Sequence, residues 1–158
     1  MKRLMKRGIL LLFALAILVV CAACGGGGGG GTTAPDIGKA EDAQDLFNQG
    51  SSAFNSGDYD GAVSYWEQAA KLGHLDALNN LATLYMDESK GHLDYAKAQK
   101  YFEQAADMES AYAFYKLGQL YETGSAGSKD EAKALKNYEK AAALGDEAAA
   151  AKVAELQG

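Results

Sequence analysis

The sequence predicts an all-α protein, an α/α solenoid of about three and a half helix-pair repeats behind an N-terminal export signal. Three observations carry that prediction. Tyr65-Trp66-Glu67-Gln68-Ala69-Ala70 returns 36 residues later as Tyr101-Phe102-Glu103-Gln104-Ala105-Ala106, and after 36 more as Asn137-Tyr138-Glu139-Lys140-Ala141-Ala142. A fixed period in that range marks a repeat array. In each copy an aromatic is followed by alanines at i+3 and i+4, which is helical spacing. The aromatic fills a neighbour's groove and the alanines let a second helix approach. The single proline, Pro35, precedes the repeats, so nothing there breaks a long helix.

The chain opens with four basic residues, Lys2, Arg3, Lys6 and Arg7, followed by an unbroken apolar run from Ile9 to Val20 and then small residues ending at Cys24. Charged, apolar and small in that order is an export signal, placed at residues 1–23. The apolar run is short of the ~17–25 residues that span a bilayer. Removing those four bases leaves 11 basic against 21 acidic residues, a net charge of −10. Such a balance opposes nucleic-acid binding and a second, electrostatic membrane contact. Residues 24–39 carry Gly25–Gly31 and no periodic apolar face, a composition that predicts a flexible tether. No strand precedes the glycines and no Gly-Lys-Ser/Thr follows them, so they are not a phosphate-cradling loop.

Residues 40–158 form the repeat domain, with repeats at about 43–74, 75–110 and 111–146 and a capping helix at 147–157. The first pair is expected as Glu41–Asn55 and Tyr59–Leu72. The second is expected as Leu75–Asp87 and Tyr95–Asp107, the third as Ala111–Thr123 and Glu131–Leu144, and the last helix as Glu147–Gln157. Asp58, Asp94 and Asp130 recur every 36 residues just before each second helix (helix B), where a carboxylate satisfies unpaired N–H groups. Ser110 and Asp146 stand likewise before the first helices (helix A), with the poorer cap His74 in the equivalent place. Gly73 and Gly145 follow helix B where a left-handed residue ends it. Glu109 replaces glycine in the middle repeat, which predicts a corner built differently. Gly50, Ala82, Gly118 and Ala154 mark the helix A centres, where a small residue permits close packing. Leu81, Leu84 and Tyr85, matched by Leu117, Leu120 and Tyr121, fill the layer beside them. Four extra residues in the second and third repeats fall in turns around Glu88–Gly91 and Gly124–Ser128.

Two resemblances follow. Cys21-Ala22-Ala23-Cys24 resembles the lipobox of bacterial lipoproteins, which implies a lipidated Cys24 bearing acyl chains and cleavage before it. Cys21 stands where leucine is usual. The repeats resemble the Sel1-like family, relatives of tetratricopeptide repeats. They do so through Leu117-Gly118-x-x-Tyr121, Glu131-Ala132-x-Ala134, Tyr138-Glu139-Lys140-Ala141-Ala142 and Gly145-Asp146. Leu81-Ala82-x-x-Tyr85 with Ala96-x-Ala98 carries the second repeat. The Ser56-Gly57-Asp58-Tyr59 turn of the first looks more like a tetratricopeptide repeat. The resemblance covers residues 43 to about 157 and implies an adaptor for protein complexes. Cysteine-rich members linked to β-lactam chemistry have paired cysteines; only Cys21 and Cys24 occur here, so that activity does not carry over.

Nothing in the residues points to catalysis, a cofactor or a metal. His74 and His92 sit in separate turns, no Gly-x-Ser-x-Gly elbow surrounds a serine, and the carboxylates lie at helix starts and on polar faces. In related arrays helix A lines the concave surface. Counting from the helix A centres then gives Gln44, Phe47, Ser51, Phe54 and Asn55, then Asp76, Asn79, Thr83, Met86 and Asp87, then Tyr112, Tyr115, Gln119, Glu122 and Thr123. The candidate partner-binding residues among them are Phe47, Phe54, Asn79, Met86, Tyr112, Tyr115 and Gln119. Apolar anchors among hydrogen-bonding groups suit a peptide groove. The plainer reading, that Phe47 and Phe54 cap the exposed first repeat, stands beside it. The expected function is a non-catalytic, membrane-anchored adaptor of the bacterial cell envelope that binds a protein or peptide. An assembly factor or pilotin for an outer-membrane complex is the alternative, and a cell-envelope hydrolase comes after that. Gly25 after the lipidated cysteine fits outer-membrane sorting, facing the periplasm, in a diderm.

Overall fold

Helix starts in this chain are set by single side chains. In the computed structural model, which describes residues 37–158, Asp58, His74, Asp94, Ser110, Asp130 and Asp146 each accept the backbone N–H three residues on, at 2.8–3.3 Å. Each cap satisfies one of the N–H groups that a helix start leaves without an internal partner. Seven α-helices result among the described residues, with no strand: α1 (Ile37–Asn55), α2 (Tyr59–Lys71), α3 (Leu75–Leu84), α4 (Tyr95–Asp107), α5 (Ala111–Thr123), α6 (Glu131–Ala143) and α7 (Glu147–Gln157). Each packs mainly on its neighbours in sequence, which is the contact pattern of an α/α solenoid. The export signal at 1–23, Cys24 and the glycine run lie outside the described residues.

The repeated aromatics are the core. Phe102 and Tyr138 are fully buried and Trp66 nearly so, flanked in every repeat by buried alanines: Ala62 and Ala69, Ala98 and Ala105, Ala134 and Ala141. The small helix A centres are explained by the same packing. A Cβ on Gly50 would lie 2.6 Å from Trp66 Nε1, and one on Gly118 would lie 2.5 Å from Tyr138 Cε1. Ala82 is fully buried in the equivalent place, whereas Ala154 is exposed, with no helix B packed on it among the described residues.

Three expectations are corrected. α1 begins at Ile37 rather than Glu41, so the last residues assigned to the tether are helical. α3 ends at Leu84, not Asp87. The Tyr85 carbonyl receives the Asp94 N–H of the returning chain at 2.8 Å, and Met86 and Asp87 close tight turns onto Thr83 and Leu84. Asp87 then caps a 3-10 turn, Glu88–Lys90, ending at left-handed Gly91. In the third repeat α5 continues to Thr123, yet Asp130 N–H reaches the Tyr121 carbonyl at 2.9 Å. The two insertions take different paths to one closure.

The third correction is the middle corner, which is built like the others. Glu109 takes φ +60°, alone among the described non-glycine residues in being positive. Its N–H reaches the Ala106 carbonyl at 2.9 Å and that of Ser110 reaches Ala105 at 3.1 Å, matching the bonds made at Gly73–His74 and Gly145–Asp146. Those paired bonds dictate the corner, and the residue adopts what they require. A side chain in that region costs about 1–2 kcal/mol, partly offset by the lower chain entropy of a non-glycine residue. Glu109→Gly is therefore expected to stabilise by up to about 1 kcal/mol and raise the melting temperature by roughly 4 °C. A thermal scan of the two proteins that shows no rise contradicts this account of the corner.

Candidate functional site

The helix A side of the array carries an open cleft between α1 and α3, about 250 Å³ in volume. Its floor is apolar, made by Phe54, Trp66 and Leu84. Ser51 and Asn55 at the end of α1, and Asn80, Thr83 and Asp87 across from them, make a polar rim. The cleft exists because the second helix pair is set against the first along the Trp66 side chain. The Trp66 Nε1–H donates to the Phe47 carbonyl at 3.3 Å, holding the indole against α1.

The candidate residues divide into three sets. Phe54 lies in the cleft floor, its ring edge-on to Tyr59 at 5.4 Å and tilted on Trp66 at 5.5 Å. Tyr112, Tyr115 and Gln119 gather around Lys116 on α5. Lys116 Nζ stands 5.5 Å from the Tyr112 centroid and 5.7 Å from that of Tyr115, and donates to Gln119 Oε1 at 3.1 Å. Gln119 Nε2 donates in turn to the Tyr115 hydroxyl at 3.2 Å. Tyr112 is 40% exposed, with its ring edge on Phe102. Phe47, Asn79 and Met86 are engaged internally. Phe47 stacks on His74 with centroids 4.5 Å apart, Asn79 Nδ2 donates to Ser110 Oγ at 3.4 Å, and Met86 packs half-buried on the core.

The helix A face is also stitched between repeats. His74 Nδ1 accepts from Ala77 N–H, so its Nε2–H is the donor to Gln44 Oε1, at 3.2 Å. The Thr83 and Tyr112 hydroxyls lie 3.2 Å apart. Glu122 joins three helices: Tyr138 O–H donates to its Oε2 at 2.6 Å and Lys152 Nζ to its Oε1 at 3.1 Å. The Tyr138 hydroxyl, then Lys152, hold the Glu122 carboxyl below the usual carboxylate range against the opposing effect of burial. Burial, then the Glu122 carboxylate, pushes the Tyr138 hydroxyl up.

A carboxylate whose folded pKa is depressed contributes stability that is present above its unfolded pKa and lost as pH falls through the folded one. Glu122→Gln should therefore cost about 1 kcal/mol near neutral pH. The gap to the parent should begin to close below the ordinary value of 4.5 and vanish at lower pH. Melting curves across the acid range test this; a gap that does not change with pH excludes the carboxylate as its source.

Trp66, Leu84 and Asn80 line the cleft without having been counted toward it. Trp66 and Leu84 are core residues that reach the cleft from beneath, and Asn80 falls between the counted helix positions. Among the described residues no three His, Asp or Glu side chains converge as a metal site, and no helix is long and apolar enough to cross a membrane.

Comparison with known proteins places this geometry. The Sel1 repeat model matches residues 46–74, 75–110 and 111–146. A Sel1 repeat protein from Oxalobacter formigenes is similar over 75% of this chain and 94% of its own, at 28% identity and a TM-score of 0.65. The protective antigen c5321 of uropathogenic Escherichia coli, which displays an SLR fold, is 28% identical over 66% of this chain and 23% of its own, with a TM-score of 0.61. Helicobacter pylori cysteine rich protein B shares the fold at 21% identity, covering 71% of this chain and 95% of that one, with a TM-score of 0.54. No curated protein matches the chain.

Proposed function

This chain belongs to the Sel1 repeat family, and from that premise we propose that it is a non-catalytic, membrane-anchored adaptor of the bacterial cell envelope that binds a protein partner on its helix A face. Sel1 repeat proteins are protein-interaction modules. The observation that carries the choice of face is the open, apolar-floored cleft between α1 and α3 with its polar rim. Side chains that offer apolar area beside hydrogen-bonding groups are what anchor an interface. The exposed Tyr112 and its neighbours Tyr115 and Gln119 extend that surface onto α5, and Phe54 lies in the cleft itself, while Phe47, Asn79 and Met86 support it from beneath through His74, Ser110 and the core. The anchor rests on the order of charged, apolar and small residues before Cys24. Lipid there, behind a glycine-rich tether, raises the effective concentration of the repeats for membrane-proximal partners. In a diderm the place that fits Gly25 is the outer membrane, facing the periplasm.

The test is capture of partner from membranes by the full chain. Tyr112→Ala and Tyr115→Ala are expected to lower recovery of the same partner more than tenfold, since a truncated anchor costs ~2 kcal/mol. Lys100→Ala and Lys136→Ala, exposed on helix B, should leave it unchanged. In the same cells Cys24→Ala should abolish lipid labelling and leave a larger precursor, while Cys21→Ala should do neither. Equal recovery by the α5 variants moves the partner to another surface, and labelling lost with Cys21→Ala moves the anchor.

A further inference from the structure

We propose that the cleft between α1 and α3 takes an extended protein segment in which a lysine or arginine neighbours an aliphatic residue. This deepens the reading of helix A as the binding face and rests on it. At about 250 Å³ the cleft falls below the roughly 300–1,000 Å³ of small-molecule pockets. It opens on a helix face, so it suits a side chain laid in from a strand of polypeptide. The half-buried Phe54 ring receives the aliphatic group, backed by the nearly buried Trp66 and Leu84, and Asn55 and Asn80 offer both donors and acceptors to the backbone beside it.

Charge selects the neighbour. Asp87 brings a carboxylate to the rim, and no basic residue lines the cleft. Ser89 donates both its N–H and its hydroxyl to Asp87 Oδ1, at 2.8 and 2.6 Å. Those bonds keep the carboxyl below the usual carboxylate range and so ionised at neutral pH. Lys90, the base nearest in sequence, acts on Asp87 only as the smallest of its influences and rests on the Tyr59 ring, 4.9 Å from its centroid. The surrounding field has the same sign. The helix A segments 37–55, 75–87, 111–123 and 147–157 hold eight acidic and three basic residues, whereas α2, α4 and α6 hold six of each. Of those three bases, Lys116 is spent on Tyr112, Tyr115 and Gln119, and Lys152 on Glu122 and Glu155. A cationic segment is therefore drawn to this face and an anionic one is repelled.

The only tryptophan in the chain is Trp66, and the Phe54 ring packed on it at 5.5 Å couples its emission to occupancy of the cleft. The probe is a short blocked peptide alternating lysine and leucine, set against its glutamate-for-lysine counterpart, titrated into the full chain in a neutral detergent. The lysine peptide should shift Trp66 emission saturably, and the glutamate peptide should bind about tenfold more weakly or not at all. Asn55→Lys sits on an exposed residue at the helix end, where a base suits the helix dipole. It should weaken the lysine peptide about threefold to tenfold while the melting temperature holds, and Asp87→Asn should act in the same direction. Equal binding of the two peptides, preference for glutamate, no response of Trp66 to either, or indifference to both substitutions overturns the inference. Native-partner capture that depends on Tyr112 and Tyr115 stands apart from this result. If capture holds and the lysine peptide fails, the charge and cleft assignment falls alone; if capture ignores helix A, the binding face itself is wrong.

Discussion

Gly118→Leu is expected to lower the melting temperature by about 12 °C or more, the consequence of a loss near 3 kcal/mol. The reason is a clash with no cheap relief. A Cβ at position 118 would meet the Tyr138 ring at 2.5 Å from Cε1 and 2.6 Å from Cδ1. That ring is fully buried and its hydroxyl is tied to Glu122. It cannot swing aside without breaking the bond that joins α5 and α6, and α7 is held to the same carboxylate through Lys152. Relief must come from parting α5 and α6, which uncovers Tyr138 to water. Ser125→Leu, in the exposed turn between those helices, has room and should cost little. Thermal unfolding of both variants, followed by circular dichroism, makes the comparison. Similar melting temperatures would falsify the packing of Gly118 on Tyr138.

How far such packing is legible in a sequence depends on how local its cause is. Helix starts are legible because one residue sets each: Asp58, Asp94, Ser110, Asp130 and Asp146 all cap where the repeat period puts them. The end of α3 is not, because it is decided by the Asp94 N–H taking the Tyr85 carbonyl, a bond from the far side of an inserted turn. Glu109 shows the same limit from the other direction: the residue argues for a different corner, and two backbone bonds impose the common one. For the candidate site, helix periodicity assigns residues to a face but not to partners. Asn79 meeting Ser110 and Thr83 meeting Tyr112 depend on the angle between successive repeats, which no single helix encodes. The cleft arises from that same angle, which is why Asn80 belongs to it although the helix A count passes it over.

Phe102→Ala should cost about 3–5 kcal/mol, the usual loss when a buried aromatic leaves a cavity. Phe102 is fully buried in the middle repeat, within the core that runs from α2 through α5. In a solenoid each repeat touches only its neighbours, so stability is close to a sum of repeat and interface contributions. Damage at the centre therefore also uncouples the α1–α2 pair from α5–α7. The parent protein should unfold in urea with Trp66 emission and helical circular dichroism changing together. In Phe102→Ala the two signals should separate, because Trp66 reports the first repeat alone while the dichroism reports every helix. Tyr112→Ala, whose ring contacts Phe102 at 6.0 Å but is 40% exposed, should cost under ~1 kcal/mol and keep the signals coincident. Binding separates the pair in the opposite sense. Tyr112→Ala is expected to lose partner at unchanged fold, and Phe102→Ala only to the extent that the array comes apart. A Phe102→Ala protein that unfolds in one coincident step near the parent midpoint would mean that the repeats are not coupled through this ring.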